Sequence, residues 1–313
     1  MKKLIKYFGK LIISVILISL ILIKIRPKIL LETLSKVNPI YIVILVIIYL
    51  TSLVISSVNL WLLFKGSRIK LLFSRIREVS FASWSIGLLI PGKFGEFTIP
   101  FMLKKDNISI GKSFAVIFTD FIITVLSILF IAIIGTIFIL RQYIIHIIIF
   151  SIILIIILYI LTNKRLISFF SKKYKKFNLT IRYFLKTIKE LRKSKKYISL
   201  NLLLSIGKQF MGALSIYILF KSLNHELNFF IILSISVIII IISSIPITLN
   251  GFGLREGSAI ILYSLFNIPG EVVLSSYLIN TTIGYLIGIF ILFNNKNVKE
   301  VLPTIKKLLK NGN

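Results

Sequence analysis

The chain is 313 residues long and 57% hydrophobic, with a formal net charge of +29 from 39 Lys+Arg against 10 Asp+Glu. Soluble domains are about 45–50% apolar, and several apolar runs here reach the roughly 20 residues a bilayer requires. A soluble globular protein is thereby excluded, and an all-α polytopic membrane protein is predicted. With no cysteine, disulfides, thiolate catalysis and Cys-based metal sites have no ligands to draw on; with His146 and His225 as the two histidines a His-rich metal site is not expected either, nor is a cofactor.

The opening stretch, MKKLIKYFGKLIISVILISLILIKI, resembles a secretion signal. Lys24, Arg26 and Pro27 follow it where a small-residue cleavage site would stand, so it reads as an uncleaved first span over 11–26. Full spans are further predicted at 39–64, 112–140, 143–162, 198–221 and 271–293. Two more apolar regions, 79–104 and 228–268, are interrupted near their centres, which allows eight or more spans. With the N-terminus inside, the inner segments 1–10, 65–78, 163–197 and 294–313 hold 27 Lys+Arg. The outer segments 24–38, 141–142 and 222–227 hold five. Cytoplasmic loops collect cations in this way, so both termini are expected in the cytoplasm of a plasma-membrane protein. The same bias accounts for the basic charge without a nucleic-acid partner. Parity then requires each interrupted region to enter and leave on one face, as a re-entrant hairpin or as two full crossings.

The first interruption reads SWSIGLLIPGKFGEFTIPFML. An apolar helix is expected to run to about Ile90. Pro91 lacks a backbone N–H, and Gly92 and Gly95 admit positive φ. A second helix is expected from about Glu96, whose carboxylate suits the free N–H groups and positive dipole end of a helix start. Irregular backbone at membrane depth is tolerated only inside protein or along a water-filled cavity.

Between the halves, 163–197 is the one sizeable polar stretch. Leu166, Phe170, Phe177, Ile181, Phe184, Ile188 and Leu191 recur at helical spacing opposite a basic face, with Asn178 a candidate break. Such a helix lies on a membrane surface, where anionic lipid head groups are its expected partners.

The second interruption, IIISSIPITLNGFGLREGSAIIL, repeats the order Pro, Gly, Glu. A helix ends before Pro246, Asn250, Gly251 and Gly253 form the break, and Arg255 and Glu256 open the next helix. The flanking spans run in opposite senses in the two halves, as inverted copies would. Paired broken helices in inverted halves point to a transporter binding site near the midplane. The chain is therefore read as one transmembrane domain over 1–313. Its halves are 39–140 and 198–293. Gly284 and Gly288 form a GxxxG pattern in the last span, which suits close helix packing.

Charges within the spans mark the candidate site. Asp120 lies in FAVIFTDFIITVL and Lys208 about ten residues into the span that starts near 198. A charge at a span centre costs about 2.5–3.5 kcal/mol on insertion scales, so it faces a partner or a cavity. Lys93, Glu96, Asp120, Lys208, Asn250, Arg255 and Glu256 are the candidate substrate-binding residues. The alternative assignment for the same residues is a set of ion pairs and helix caps that hold the breaks together. No metal site and no catalytic nucleophile–base pair is recognisable.

At these residues the chain resembles the flippase-like membrane domain of lysylphosphatidylglycerol synthases, which also occurs alone in small bacterial and archaeal membrane proteins. The family's early P-G-x-x-G-E is met by Pro91, Gly92, Gly95 and Glu96. Its later P-x-x-x-x-G-x-G-x-x-E is met by Pro246, Gly251, Gly253 and Glu256. Where the family often has an acidic residue followed by Arg, Asp120 is followed by Phe121. The resemblance implies an all-helical domain that moves a lipid or lipid-linked head group between leaflets, and no aminoacyl transfer. No Walker A motif indicates ATP drive. A membrane transferase acting on lipid, with Glu96, Asp120 or Glu256 as general base, and a carrier for a soluble ion or metabolite are the alternatives. A second copy of the chain is a further candidate partner.

Overall fold

The computed structural model describes residues 2–88, 94–139, 178–248 and 250–298, apart from 26, 246 and 249, with isolated positions between 141 and 156. The expected span at 143–162 thus falls almost wholly outside the described residues, as do Pro91, Gly92, Lys93 and Pro246. Among the described residues there is no strand. In chain order the helices are α1 (Lys2–Ile25), α2 (Pro27–Ser35), α3 (Pro39–Gly66), α4 (Phe73–Gly87), the single turn α5 (Ile99–Met102), α6 (Ile110–Phe138), α7 (Asn178–Lys193), α8 (Lys195–Ser222), α9 (Phe229–Ser243), α10 (Leu254–Ser264) and α11 (Gly270–Asn294).

Among the described residues, α3, α6, α8 and α11 are long and apolar enough to cross a membrane. They match four of the expected spans to within three residues at either end. The expected first span lies in α1, whose apolar stretch is Ile12–Ile23. By contrast α9, at 15 residues, and α10, at 11, reach about 22 Å and 16 Å at 1.5 Å per residue. Neither crosses a hydrocarbon core of about 30 Å alone, so the second interruption is a pair of short helices around a break, as expected.

The first interruption departs from the sequence expectation at both ends of its break. The leading helix stops at Gly87, not near Ile90, because Leu88 N–H already turns back to the Ser85 carbonyl at 3.2 Å. The trailing arm is not a continuous helix from Glu96. It is a 3-10 turn over Phe94–Thr98, the single α turn α5, and another 3-10 turn over Leu103–Asp106, closed by Asn107 at φ 58°. Gly95 lies inside the first of these turns and answers a close approach: a Cβ on Gly87 would come within 3.3 Å of the Gly95 Cα. The two ends of the region are tied together. Arg75, in the first turn of α4, donates from Nε to both carboxylate oxygens of Asp106 at 3.1 and 3.0 Å and pairs through Nη2 at 2.9 Å. The two flanks of the first interruption therefore lie side by side.

The chain divides into two compact units. The first comprises Met1–Ser52, Trp84–Gly95 and Gln209–Asn313, the second Leu53–Ser83 and Glu96–Lys208. In the first unit Leu45, Leu219 and Ile283 form a buried cluster with Tyr49 and Ile287 against it. Both glycines of the GxxxG pattern work as packing sites there. A Cβ on Gly284 would meet the Tyr49 ring, and one on Gly288 would collide with the Leu88 side chain. In the second unit α7 packs along α6 rather than lying free on a surface. A Cβ on Gly111 would collide with the Thr180 carbonyl, and Phe184 meets Phe114 and Phe118 at ring-centroid distances of 6.0 and 5.9 Å. The outer face of α7 keeps Arg182, Lys186, Lys189, Arg192 and Lys193 exposed. Asn178 is the first residue of this helix.

Candidate functional site

Each unit holds its own polar cluster. In the second unit three helices contribute. Asp120 of α6 is 2% exposed, and its Oδ1 accepts a hydrogen bond from Asn201 Nδ2 at 2.7 Å. The same amide nitrogen reaches the Asn59 carbonyl of α3 at 3.1 Å, and Asn59 Nδ2 donates to Ser205 Oγ at 3.0 Å. Glu96 feels the charges of both Asp120 and Lys208, and Asp120 feels that of Lys208. Three of the sequence candidates are thus brought into one electrostatic neighbourhood: two carboxylates and one ammonium. The side-chain oxygens of Asn59 and Asn201 are buried and accept no hydrogen bond from a described residue. A buried acceptor without a donor is costly, so the cluster retains capacity for a ligand that donates.

Asn59, Asn201 and Ser205 were not among the sequence candidates. The signal that marks two of them is spacing. Asn201, Ser205 and Lys208 stand at i, i+4 and i+7, which places them on one face of α8. Asn59, a lone amide late in a 28-residue apolar helix, has no such companion pattern.

In the first unit the break after α9 is built from left-handed backbone. Asn250, Gly251 and Gly253 have φ of 50°, 78° and 84°, a region glycine enters freely and other residues reluctantly. The glycines are also required by contact. A Cβ on Gly251 would lie 2.8 Å from Ser243 Cβ, and one on Gly253 2.8 Å from Leu17 Cβ of α1. Asn250 serves here through its backbone conformation.

Arg255 and Glu256 then open α10. Glu256 is fully buried. One oxygen, Oε2, accepts the Gly253 N–H at 2.7 Å, capping the helix start. The other, Oε1, accepts from Arg255 Nε at 3.0 Å and Nη2 at 2.7 Å. Nη2 also donates to Thr281 Oγ1 of α11 at 2.5 Å. Thr281 in turn donates to the Tyr277 carbonyl at 2.6 Å. A buried carboxylate is tolerable when paired and fully hydrogen-bonded; this one is. Among the described residues, hydrogen bonds engage Arg255 through Nε and Nη2 and leave Nη1 without one. Of the sequence candidates in this half, Glu256 is the cap and counter-ion, and Arg255 is the group with donors in reserve. Lys93 lies outside the described residues. Among the described residues no three His, Asp or Glu gather as metal ligands.

The sequence profile of the lysylphosphatidylglycerol synthase TM region matches residues 7–291. The chain belongs to this family. Both polar clusters and both breaks fall inside the matched range. The lysylphosphatidylglycerol synthase TM-region family thus accounts for nearly the whole chain, consistent with the resemblance carried by the two proline–glycine–glutamate motifs. A curated relative is the UPF0104 membrane protein MJ1595 of Methanocaldococcus jannaschii. It is 26% identical over 314 aligned positions, covering 88% of this chain and 92% of that protein. The chain is accordingly a multi-pass membrane protein of a lipid-related family.

Proposed function

We propose that the protein translocates a lipid or lipid-linked head group across the bilayer without ATP, as a multi-pass protein of the plasma membrane with both termini cytoplasmic. One observation carries this reading. Each of two helical units holds a charged cluster within its membrane helices, beside a break in the chain. Such clusters are expensive in hydrocarbon and are kept where a polar group is bound or passed. Their chemistry suits a zwitterionic or sugar-phosphate head group. Arg255 and Lys208 are donors to a phosphate, whereas Glu96, Asp120 and the free amide oxygens of Asn59 and Asn201 accept from hydroxyls or an ammonium. The exposed cations of α7 would gather anionic lipid at the cytoplasmic surface.

The test is transbilayer movement of fluorescent lipid in proteoliposomes of the purified chain, with no nucleotide present. The wild type accelerates flipping over protein-free vesicles, and Glu96→Gln and Lys208→Gln reduce it while keeping the helical circular dichroism spectrum. Flipping at the protein-free rate across head-group classes, or full activity in both variants, rejects the proposal.

A further inference from the structure

The end of α3, in the second unit, carries a feature that the Asp120 cluster of that unit does not use. Within the second unit a cleft of about 670 Å³ is lined by Lys65, Arg68, Lys70, Leu71, Leu72 and Tyr197, together with Ile69. We propose that this cleft holds the phosphate of an anionic membrane lipid, with Lys65, Arg68 and Lys70 on the phosphate and Leu71 and Leu72 against the glycerol and upper acyl chain.

The site is built, not merely basic. The α3 helix is apolar to Phe64, so the residues that follow stand where the helix leaves the hydrocarbon. Ser194 Oγ, between α7 and α8, donates to the Gly66 carbonyl at 2.7 Å, and a Cβ on Gly66 would lie 3.0 Å from Tyr197 Cβ and 3.3 Å from its ring. Ser67 Oγ donates to the Phe64 carbonyl at 2.8 Å. Arg68 then takes a left-handed conformation, φ 60°, and its N–H closes on the Lys65 carbonyl at 3.0 Å. These contacts fix the rim of the cleft and hold three cations within six residues. Among the described residues neither Arg68 nor Lys70 has a carboxylate within ion-pair distance. Lys65 Nζ sits 3.5 Å above the Trp61 ring.

The occupant follows from the pairing of charge with grease. A free anion would use the cations alone. Leu72 is 77% exposed two residues after Lys70, a placement that is unfavourable in water and favourable at the boundary between head groups and acyl chains. Three cations beside two leucines at that depth match a phosphodiester with its hydrocarbon attached. Each such cation contributes about 1 kcal/mol toward an anionic surface.

Trp61 supplies the readout. The chain has two tryptophans, so Trp84→Phe leaves Trp61 alone beside Lys65. The full chain with this change is placed in phosphatidylcholine nanodiscs with rising fractions of acyl-brominated phosphatidylglycerol. Quenching of Trp61 saturates at low fractions of the anionic lipid and lacks that component with brominated phosphatidylcholine. Arg68→Gln and Lys70→Gln each weaken the component about fivefold, with unchanged helical circular dichroism; Arg68→Lys retains it. Equal quenching by the two lipids, or an unshifted curve in the double variant, overturns the proposal. Displacement of the lipid by millimolar inorganic phosphate also overturns it, because the cleft would then take a free anion. None of these readouts depends on lipid translocation.

Discussion

Glu256 and Asp120 are both acids buried in a membrane protein, yet their surroundings assign them different work. Every strong acceptor position of Glu256 is matched by a donor of the same short segment, Gly253 N–H on one oxygen and the Arg255 guanidinium on the other. Removing Arg255 would leave an uncompensated buried charge, so Arg255→Ala is expected to cost about 3–5 kcal/mol. Glu256→Gln keeps an acceptor for the Gly253 amide and is expected to cost less. Thermal unfolding in detergent, followed by circular dichroism, orders the two; equal losses would mean that the pair does not hold the break. The sequence made the residues visible, since Pro, Gly and Glu recur in order. It did not make their contacts visible, because Thr281 and Leu17 come from remote helices and no local pattern announces them.

At the level of elements, the long apolar helices were legible because a run of isoleucine and leucine has no other stable use at that length. The trailing arm of the first interruption was not. Glu96 was expected to open a helix, whereas Thr98 precedes a single α turn and 3-10 geometry takes the rest. Pro100 and the Arg75–Asp106 pair decide that arm, and the second is a contact between segments 31 residues apart. The amphipathic pattern of 163–197 predicted a helix but not a seat on α6; of that stretch the described residues 178–193 form a helix, and its seat rests on the absence of a side chain at Gly111. Gly111→Val should therefore push α7 away from α6 and lower the midpoint of thermal unfolding by several degrees, at a cost of about 1–3 kcal/mol for overpacking. Cysteine cross-linking between α6 and α7 would fall in parallel; undiminished cross-linking would contradict the close-approach role.

For the molecule as a whole, the prediction concerns access. The chain has no cysteine, so single cysteines at Phe94 and Phe252 report on the two breaks without background. Under the proposed orientation, an impermeant maleimide labels position 94 from the cytoplasmic side and position 252 from the other. Failure of both to label would leave the breaks dry and remove the physical basis for passing a head group. The broad architecture was readable because membrane insertion imposes one rule on every segment. The partition into two units was not, because it cuts within α3, α4 and α8 and depends on which halves of those helices pack together. The hydrogen bonds of the two clusters also differ in when they become available during synthesis. Arg255 and Glu256 are adjacent and leave the ribosome together, already neutral as a pair. Asp120 must wait for Asn201, 81 residues later, which is about 4–16 s at ordinary elongation rates. For that interval the nascent first half carries Asp120 without its Asn201 partner, so α6 is expected to insert less readily in a chain truncated before α8 than in the full chain, as a glycosylation-mapped insertion assay would show.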